Sequence, residues 1–317
     1  MAGILVVAEA NGDGVSSASL ELLGAARQLS SQGGGAVSAF VAGGDGAALI
    51  AAGADTVYTS SAAASSLAEV LAPAVEAAMA QSGADIVLLA MSSLGRDLGP
   101  TLAFRLKTGV AMDCTDLKIE GGRLRATRSA YGGNARAEHT WKANPQIATV
   151  KSKTYDAPAP EAGRTGTTVA VDAAGEARIK VLGVAKAEST GIKLEEAAIV
   201  VSGGRGLGDQ SAFKQLEELA AALTGAAVGA SRAACDLGWY PPSQQVGLTG
   251  KVVSPNLYIA VGISGASQHM AGMGGSKNIV AINKDGDANM VKVSKFAIVD
   301  DYRKVLPALI EEIKKLP

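Results

Sequence analysis

Short apolar runs alternating with stretches of helical periodicity constrain this chain more than any other feature. Ile4–Ala8, Val37–Val41, Thr56–Tyr58 and Ile86–Leu89 have the length and apolar character of buried strands. Between and after them, Val15–Gln32, Ala47–Ala52, Leu67–Gln81 and Leu98–Lys107 read as helices, the first with Leu20, Leu22, Leu23, Ala26 and Leu29 at helical spacing. A strand apolar on both faces must be covered on both faces, and a helix between successive strands makes them parallel. The rhythm therefore dictates βαβ units on a parallel sheet. The 39 glycines, many Ala and Val, and 4% aromatic content suit helices packed closely on such a sheet.

At 317 residues the chain exceeds one ordinary core, so two domains are expected. From Met112 the pattern changes. Leu117–Glu120, Gly121-Gly122 and Leu124–Arg128 read as a hairpin with a tight glycine turn. Gly132-Gly133-Asn134 and Gln146–Val150 suggest further antiparallel strands, with His139 and Trp141 among them; a lone histidine in an alternating strand reads as structural or surface. Residues 155–168 are rich in Pro, Gly and Thr and read as an exposed connector. Val169–Ala187 reads as a last strand, and residues 188–191 as a hinge.

The second half repeats the α/β grammar through the strand Ala197–Val201, the helix Phe213–Leu223 and the strand Ala226–Gly229. The strand Leu257–Ile263, a Ser264-Gly265 turn, a short helix and the strand Ile279–Ile282 follow, with Tyr302–Leu316 as a closing amphipathic helix. The expected fold is α/β in two domains. Residues 1–188 form a parallel-sheet α/β domain with an antiparallel β extension, and residues 189–317 a doubly wound α/β domain.

A net charge of -1 gives no reason to expect nucleic acid or an anionic membrane as partner. No apolar run approaches the roughly 20 residues that span a bilayer, so no stable membrane insertion is expected. The start MAGILVVAEA has no basic segment and runs straight into a strand, unlike a secretory or transit peptide. Cys114 and Cys235 stand alone, without metal or disulfide spacing, and read as core residues in a reducing compartment. The expected location is the cytoplasm.

Four segments of the second half concentrate glycine and hydrogen-bonding residues. Ser202-Gly203-Gly204-Arg205-Gly206-Leu207-Gly208 lies between strand and helix, but its spacing is not G-x-G-x-x-G and no ribose-binding acid follows. It reads equally as a tight turn and as a ligand contact. Gly250-Lys251 lacks the Ser or Thr of a P-loop. Arg232, in Gly229-Ala230-Ser231-Arg232, follows a buried strand and wants an anionic partner, a ligand or Asp236. In Gln244-Gln245-Val246-Gly247-Leu248-Thr249-Gly250-Lys251, glycines allow close backbone approach and Thr249 offers a hydroxyl. The turn after Leu257–Ile263 adds Ser264, Gln268 and His269 at the carboxyl end of a strand, where ligands of open α/β sheets sit. Cations, amides and hydroxyls with no Cys nucleophile and no carboxylate pair suit holding an electron-rich cofactor better than hydrolysis or acid–base chemistry.

LYIAVGISGASQHMAGM with IVAIN, preceded in order by GGRGLG, GASRAACD and QVGLTGK, resembles the electron-transfer flavoprotein alpha subunit. The resemblance covers essentially the whole chain and is most specific over residues 198–301. It implies an FAD held by the second domain, and a heterodimer with a beta subunit that carries AMP or a second FAD. Flavin dehydrogenases would be the donors, and a quinone oxidoreductase a fitting acceptor. It further implies that Arg232 lies over the flavin, that His269 hydrogen-bonds near its O2 and that Thr249 contacts N5. Ser231 and Gln268 would complete the ring's surroundings, with Arg205, Gln245, Val246 and Gly247 also at the cofactor. Ser264 and the backbone near Gly250 and Gly265 would meet the pyrophosphate, and Asn283, Lys284 and Asp301 the adenosine. An anionic semiquinone would be favoured by the cationic edge. The family has Gln at the position of Leu248 and an aliphatic residue at that of Ser267. Loss of that amide implies an altered flavin potential or electron exit, with FAD binding retained. The same resemblance admits an electron-bifurcating alternative that oxidises NADH, distinguished by two flavins per heterodimer in place of one FAD and one AMP.

Overall fold

The computed structural model describes residues 3–12, 14–44, 46–61, 67–131, 135–182 and 192–315. The chain divides into two compact units, Met1–Val184 and Ala185–Pro317. The expected hinge at 188–191 and the turn Gly132-Gly133-Asn134 lie outside the described residues.

The first unit contains β1 (Ile4–Ala8), a small ribbon of β2 (Ala10–Asn11) and β3 (Gly14–Val15), α1 (Ser17–Leu29), β4 (Val37–Ala42), α2 (Ala47–Ala51) and β5 (Thr56–Ser60). It continues with α3 (Ala68–Ser82), β6 (Ile86–Ala90), α4 (Ser93–Arg105), β7 (Val110–Glu120), β8 (Arg123–Ala130), β9 (Ala135–His139), β10 (Gln146–Val150) and β11 (Thr167–Ala170). Nine strands form one sheet in the order β11-β5-β4-β1-β6-β10-β7-β8-β9. The sheet is parallel up to β7, and β8 and β9 extend it antiparallel. Alternate residues of the central strands supply two cores: Ile4, Val6, Ile86 and Leu88 face α1, while Leu5, Val7, Val87 and Leu89 pack with residues of α3 and α4.

Three expectations change here. Gln146–Val150 is not antiparallel: β10 is parallel to both β6 and β7, with all five residues buried. The chain leaves through the β7–β9 meander and re-enters the sheet in the direction of β6, and burial on both faces marks an interior strand. The helix expected from Leu98 starts at Ser93, because the Ser92 side chain accepts from the Gly95 amide at 2.9 Å and caps it. The last strand of the unit is Thr167–Ala170, parallel to β5, and does not continue beyond Ala170. The connector is exposed over most of residues 155–168, as expected, and is pinned at its start. The Tyr155 hydroxyl accepts from the Leu117 amide at 2.7 Å, and burial raises that phenol to about 12.

The second unit contains β12 (Ile199–Gly203), α5 (Phe213–Ala221), β13 (Ala226–Ala230), α6 (Arg232–Asp236), β14 (Leu257–Val261), α7 (Ser267–Met273), β15 (Asn278–Asn283), α8 (Asn289–Val293), β16 (Phe296–Val299) and α9 (Tyr302–Ile313). Its five strands are all parallel, in the order β13-β12-β14-β15-β16. Phe213 and Leu216 of α5 join Tyr302, Leu306 and Ile310 of α9 over one face, and Met273 of α7 with Met290 of α8 covers the other. That is a doubly wound sheet whose order reverses between β12 and β14. Among the described residues no helix is long and apolar enough to cross a membrane.

Candidate functional site

At the reversal point, the loops after β12 and β14 cross so closely that only glycine fits. Gly262 has φ +63°, and a Cβ there would stand 2.9 Å from the Gly206 carbonyl carbon and 3.0 Å from the Leu207 nitrogen. The Gly204 amide donates to Val261 at 2.9 Å and the Gly206 amide to Gly262 at 3.0 Å. The glycines of Gly203–Gly208 thus serve the crossing, and two of their amides are consumed in it rather than offered to a phosphate. The Tyr302 hydroxyl, donating to the Leu207 carbonyl at 2.7 Å, fastens α9 beneath.

Above this crossing lies a cavity of about 590 Å³ built from the carboxyl ends of four strands. Arg205 and Gly206 follow β12; Ser231, Arg232, Ala233 and Asp236 follow β13; Gly262, Ile263, Ser264, Ala266, Gln268 and His269 follow β14; Asn283, Asp285 and Ala288 follow β15. The loop Gln245–Thr249 completes the wall. Its Leu248 amide donates to the Gln268 carbonyl at 2.8 Å, and a Cβ on Gly272 would strike Gly247, so the loop rests directly on α7.

Polar side chains are fixed before any ligand arrives. Ser231 caps α6 by accepting from the Ala234 amide at 3.4 Å, which sets Arg232 as the first helical residue. The Arg232 guanidinium is 68% exposed and stands 3.4 Å from Asp236, a pair weakened by solvent. Gln245 donates to the Thr249 hydroxyl at 3.0 Å. Asn283 donates to the Ile263 carbonyl at 2.9 Å and accepts from the Asp285 amide at 3.1 Å. The residue preceding α7 is Ala266, which has no side chain to cap the helix, so the Ser267 and Gln268 amides at this wall lack a capping acceptor, while the His269 amide donates to the Ala266 carbonyl at 2.9 Å.

Among the polar side chains of the lining, His269 is the buried one. Its Nε2 lies 2.9 Å from the Tyr258 hydroxyl, while Nδ1 is buried beside the Val246 backbone without a well-formed hydrogen bond. Loss of solvent pushes the imidazole pKa down to about 4, so the ring is neutral at physiological pH. His269 therefore contributes a dipole rather than a charge.

Of the sequence-predicted residues, Arg205, Ser231, Arg232, Gln245, Val246, Gly247, Thr249, Ser264, Gln268, His269 and Asn283 line this one cavity. Gly250, Gly265, Lys284 and Asp301 do not. Gly265 (φ +82°) shapes the turn, where a Cβ would strike the Met290 amide. Lys284 pairs with Asp301 at 3.0 Å, and Asp301 also caps α9 through the Arg303 amide, which with Lys284 holds its carboxyl below the usual range. Sequence reasoning missed Asp285 and Tyr258. The first sits in a loop with no motif, and the second is one polar atom within an otherwise apolar strand.

The sequence profile of the electron transfer flavoprotein domain matches residues 4–176, and that of the electron transfer flavoprotein FAD-binding domain matches residues 193–274. The electron transfer flavoprotein subunit alpha of Thermoanaerobacterium thermosaccharolyticum is 42% identical over 326 residues, covering 99% of this chain and 98% of the relative. The chain belongs to the electron transfer flavoprotein alpha-subunit family. The subunit alpha of Mycobacterium leprae is 40% identical over 324 residues, covering 99% of both chains. That of Megasphaera elsdenii is 40% identical over 331 residues, covering 99% of this chain and 96% of the relative. Membership makes this an electron-transfer protein with FAD as its cofactor and a beta subunit as partner.

The cavity suits that cofactor. The Arg205 guanidinium and the Ser267 and Gln268 amides of α7 suit a pyrophosphate, Val246, Leu248 and Ile263 offer apolar surface to a ring, and Arg232, Thr249, Gln268 and Ser231 offer polar contacts at its edge. Its two carboxylates have partners of their own, Asp236 the Arg232 guanidinium at 3.4 Å and Asp285 the Asp287 amide at 2.9 Å. Among the described residues no cluster of His, Cys, Asp and Glu could hold a metal ion.

Proposed function

We propose that this chain, paired with its beta subunit, accepts electrons from flavin dehydrogenases and passes them singly to a downstream acceptor such as a quinone oxidoreductase. The observation that carries this reading is the lining of the cavity at the reversal of the second sheet. It sets two guanidinium groups among amides and hydroxyls, has no thiol, and holds its two carboxylates against Arg232 and the Asp287 amide. A site of this kind binds and tunes a redox group.

In this reading FAD supplies reversible electron transfer, and the chain supplies position and electrostatics. Arg205, Ser264 and the backbone near Gly250 and Gly265 hold the pyrophosphate; Asn283, Lys284 and Asp301 hold the adenosine end. Arg232, Ser231, Thr249, Gln268 and His269 surround the flavin, with Gln245, Val246 and Gly247 forming the wall behind it. Arg232, charged at all working pH values, favours added negative charge on its neighbour.

The test is potentiometric titration of the coexpressed heterodimer, followed by absorbance. A yellow complex taking up electrons in two resolved one-electron steps is expected, with reduction by a flavin dehydrogenase and reoxidation by a quinone-linked acceptor. A colourless complex, or a single two-electron step, overturns the reading. Counting flavins per heterodimer separates a simple carrier, with one, from a bifurcating complex, with two.

A further inference from the structure

We propose that Tyr258 is a positioning residue of this site: its hydroxyl donates to Nε2 of His269 and fixes the imidazole proton on Nδ1. Tyr258 is on β14, fully buried, and its hydroxyl needs a partner within the core. Nε2 stands 2.9 Å away. Ser202 of the neighbouring strand β12, also fully buried and without a well-formed hydrogen bond of its own, acts on the same hydroxyl. Val200 is opposite Tyr258 in register, so Ser202, two residues on, shares its face of the sheet.

The direction of this chain of groups follows from its far end. Nδ1 of His269 lies beside the Val246 backbone, whose amide is already donated to the Ala230 carbonyl at 2.8 Å. What Val246 has left is its carbonyl, an acceptor. A proton on Nδ1 is attracted to that carbonyl even without a well-formed hydrogen bond, whereas a lone pair on Nδ1 would face another lone pair. A neutral ring protonated at Nδ1 can only accept at Nε2. The phenol then donates to Nε2, and its oxygen keeps a lone pair on the side of the buried Ser202 hydroxyl. The opposite direction fails, because Val246 has no donor to give. Tyr258 on one side and the Val246 carbonyl on the other therefore order one ring dipole at the cavity wall, through a phenol that does not line the cavity itself.

The inference rests on the cavity being the FAD site, and the experiment separates the two. The heterodimer is labelled with ¹⁵N-histidine, and the signals lost in His269→Gln identify the ring. The wild-type ring is expected to show a single neutral tautomer, protonated at Nδ1. In Tyr258→Phe, which keeps the aromatic packing, that single-tautomer signature is lost. The flavin midpoint potential then moves in the same direction as in His269→Gln, by less. A wild-type ring protonated at Nε2 overturns the proposal, whether or not the variants fold. So does a Tyr258→Phe heterodimer with unchanged tautomer and potential when His269→Gln shifts the potential. A changed tautomer with the potential unmoved in both variants sustains the hydrogen-bond chain and overturns the cavity as the flavin's site.

Discussion

A buried neutral histidine makes stability depend on pH in a definite direction. The folded-state pKa of His269 is about 4, below the ordinary 6.5, so the unfolded chain binds a proton that the folded chain refuses. The full contribution is present above pH 6.5 and is lost as pH falls from there to about 4. Its upper size is about 3 kcal/mol, from 1.36 kcal/mol per pKa unit. Chemical denaturation of wild type and His269→Gln across pH 4–7 should show the shallower pH slope in the variant; equal slopes would mean that the ring is not buried. Arg232 is the opposite case, a permanent charge at an exposed rim. Its field on a neighbour in near-aqueous surroundings is worth about 1 kcal/mol, or about 40 mV for one electron, so Arg232→Ala should lower the flavin potential by up to that amount. An unchanged potential would remove Arg232 from the ring's surroundings. Both residues were legible in the sequence because they sit in glycine-bearing turns after apolar runs. Tyr258 was not, since a single phenol in a buried strand gains meaning only from the residues of other elements that fold against it.

Between elements, what matters is how near two backbones come. The loops after β12 and β14 meet at Gly204, Gly206 and Gly262, and replacing Gly262 would force a left-handed φ on a side chain pressed against backbone. Gly262→Ala should therefore lose about 1–3 kcal/mol of stability and release FAD more readily, read by thermal unfolding and flavin fluorescence. A tightly bound FAD in this variant would show that the crossing can relax. In the first unit, Ser92 both caps α4 and donates to the Glu9 carboxylate at 2.5 Å. Burial raises the Glu9 pKa, and the Ser92 hydroxyl lowers it in partial compensation. Ser92→Ala should thus lose about 1 kcal/mol in denaturant titration. Strand–helix alternation located the longer elements but passed over the ribbon β2–β3, the five-residue helices α6 and α8, and the edge strand β16, which are too short to show a period. It misjudged β10, because a five-residue run with three apolar side chains after a hairpin looks the same whether its neighbours run parallel or antiparallel. It misjudged the start of α4 because Gly95, Gly99 and Pro100 hide the helical period; a Cβ on Gly95 would strike the Ala90 carbonyl, so that glycine serves close packing on the sheet.

At the scale of the molecule, each unit carries its own cores, Leu88 and Val87 belonging to those of the first and Val201 and Tyr258 to those of the second. The cofactor cavity draws its lining from residues 205–288 of the second. A ligand stabilises the structure that binds it and leaves a separately cored domain at its intrinsic stability. Hydrogen exchange on the heterodimer with and without FAD should therefore slow at the loops 204–206, 231–233, 245–249 and 262–269. The interior amides of β1, β6 and β10 should exchange at the same rate in both states. Their hydrogen bonds lie in a sheet whose strands are buried on both faces, and they open only when that core opens. Exchange that slowed equally in the β1–β6–β10 ladder would mean that the units unfold as one, and that FAD acts on the stability of the whole chain. Slowing at the loops alone would show that the glycine crossing and the wall of α7 are what the cofactor secures.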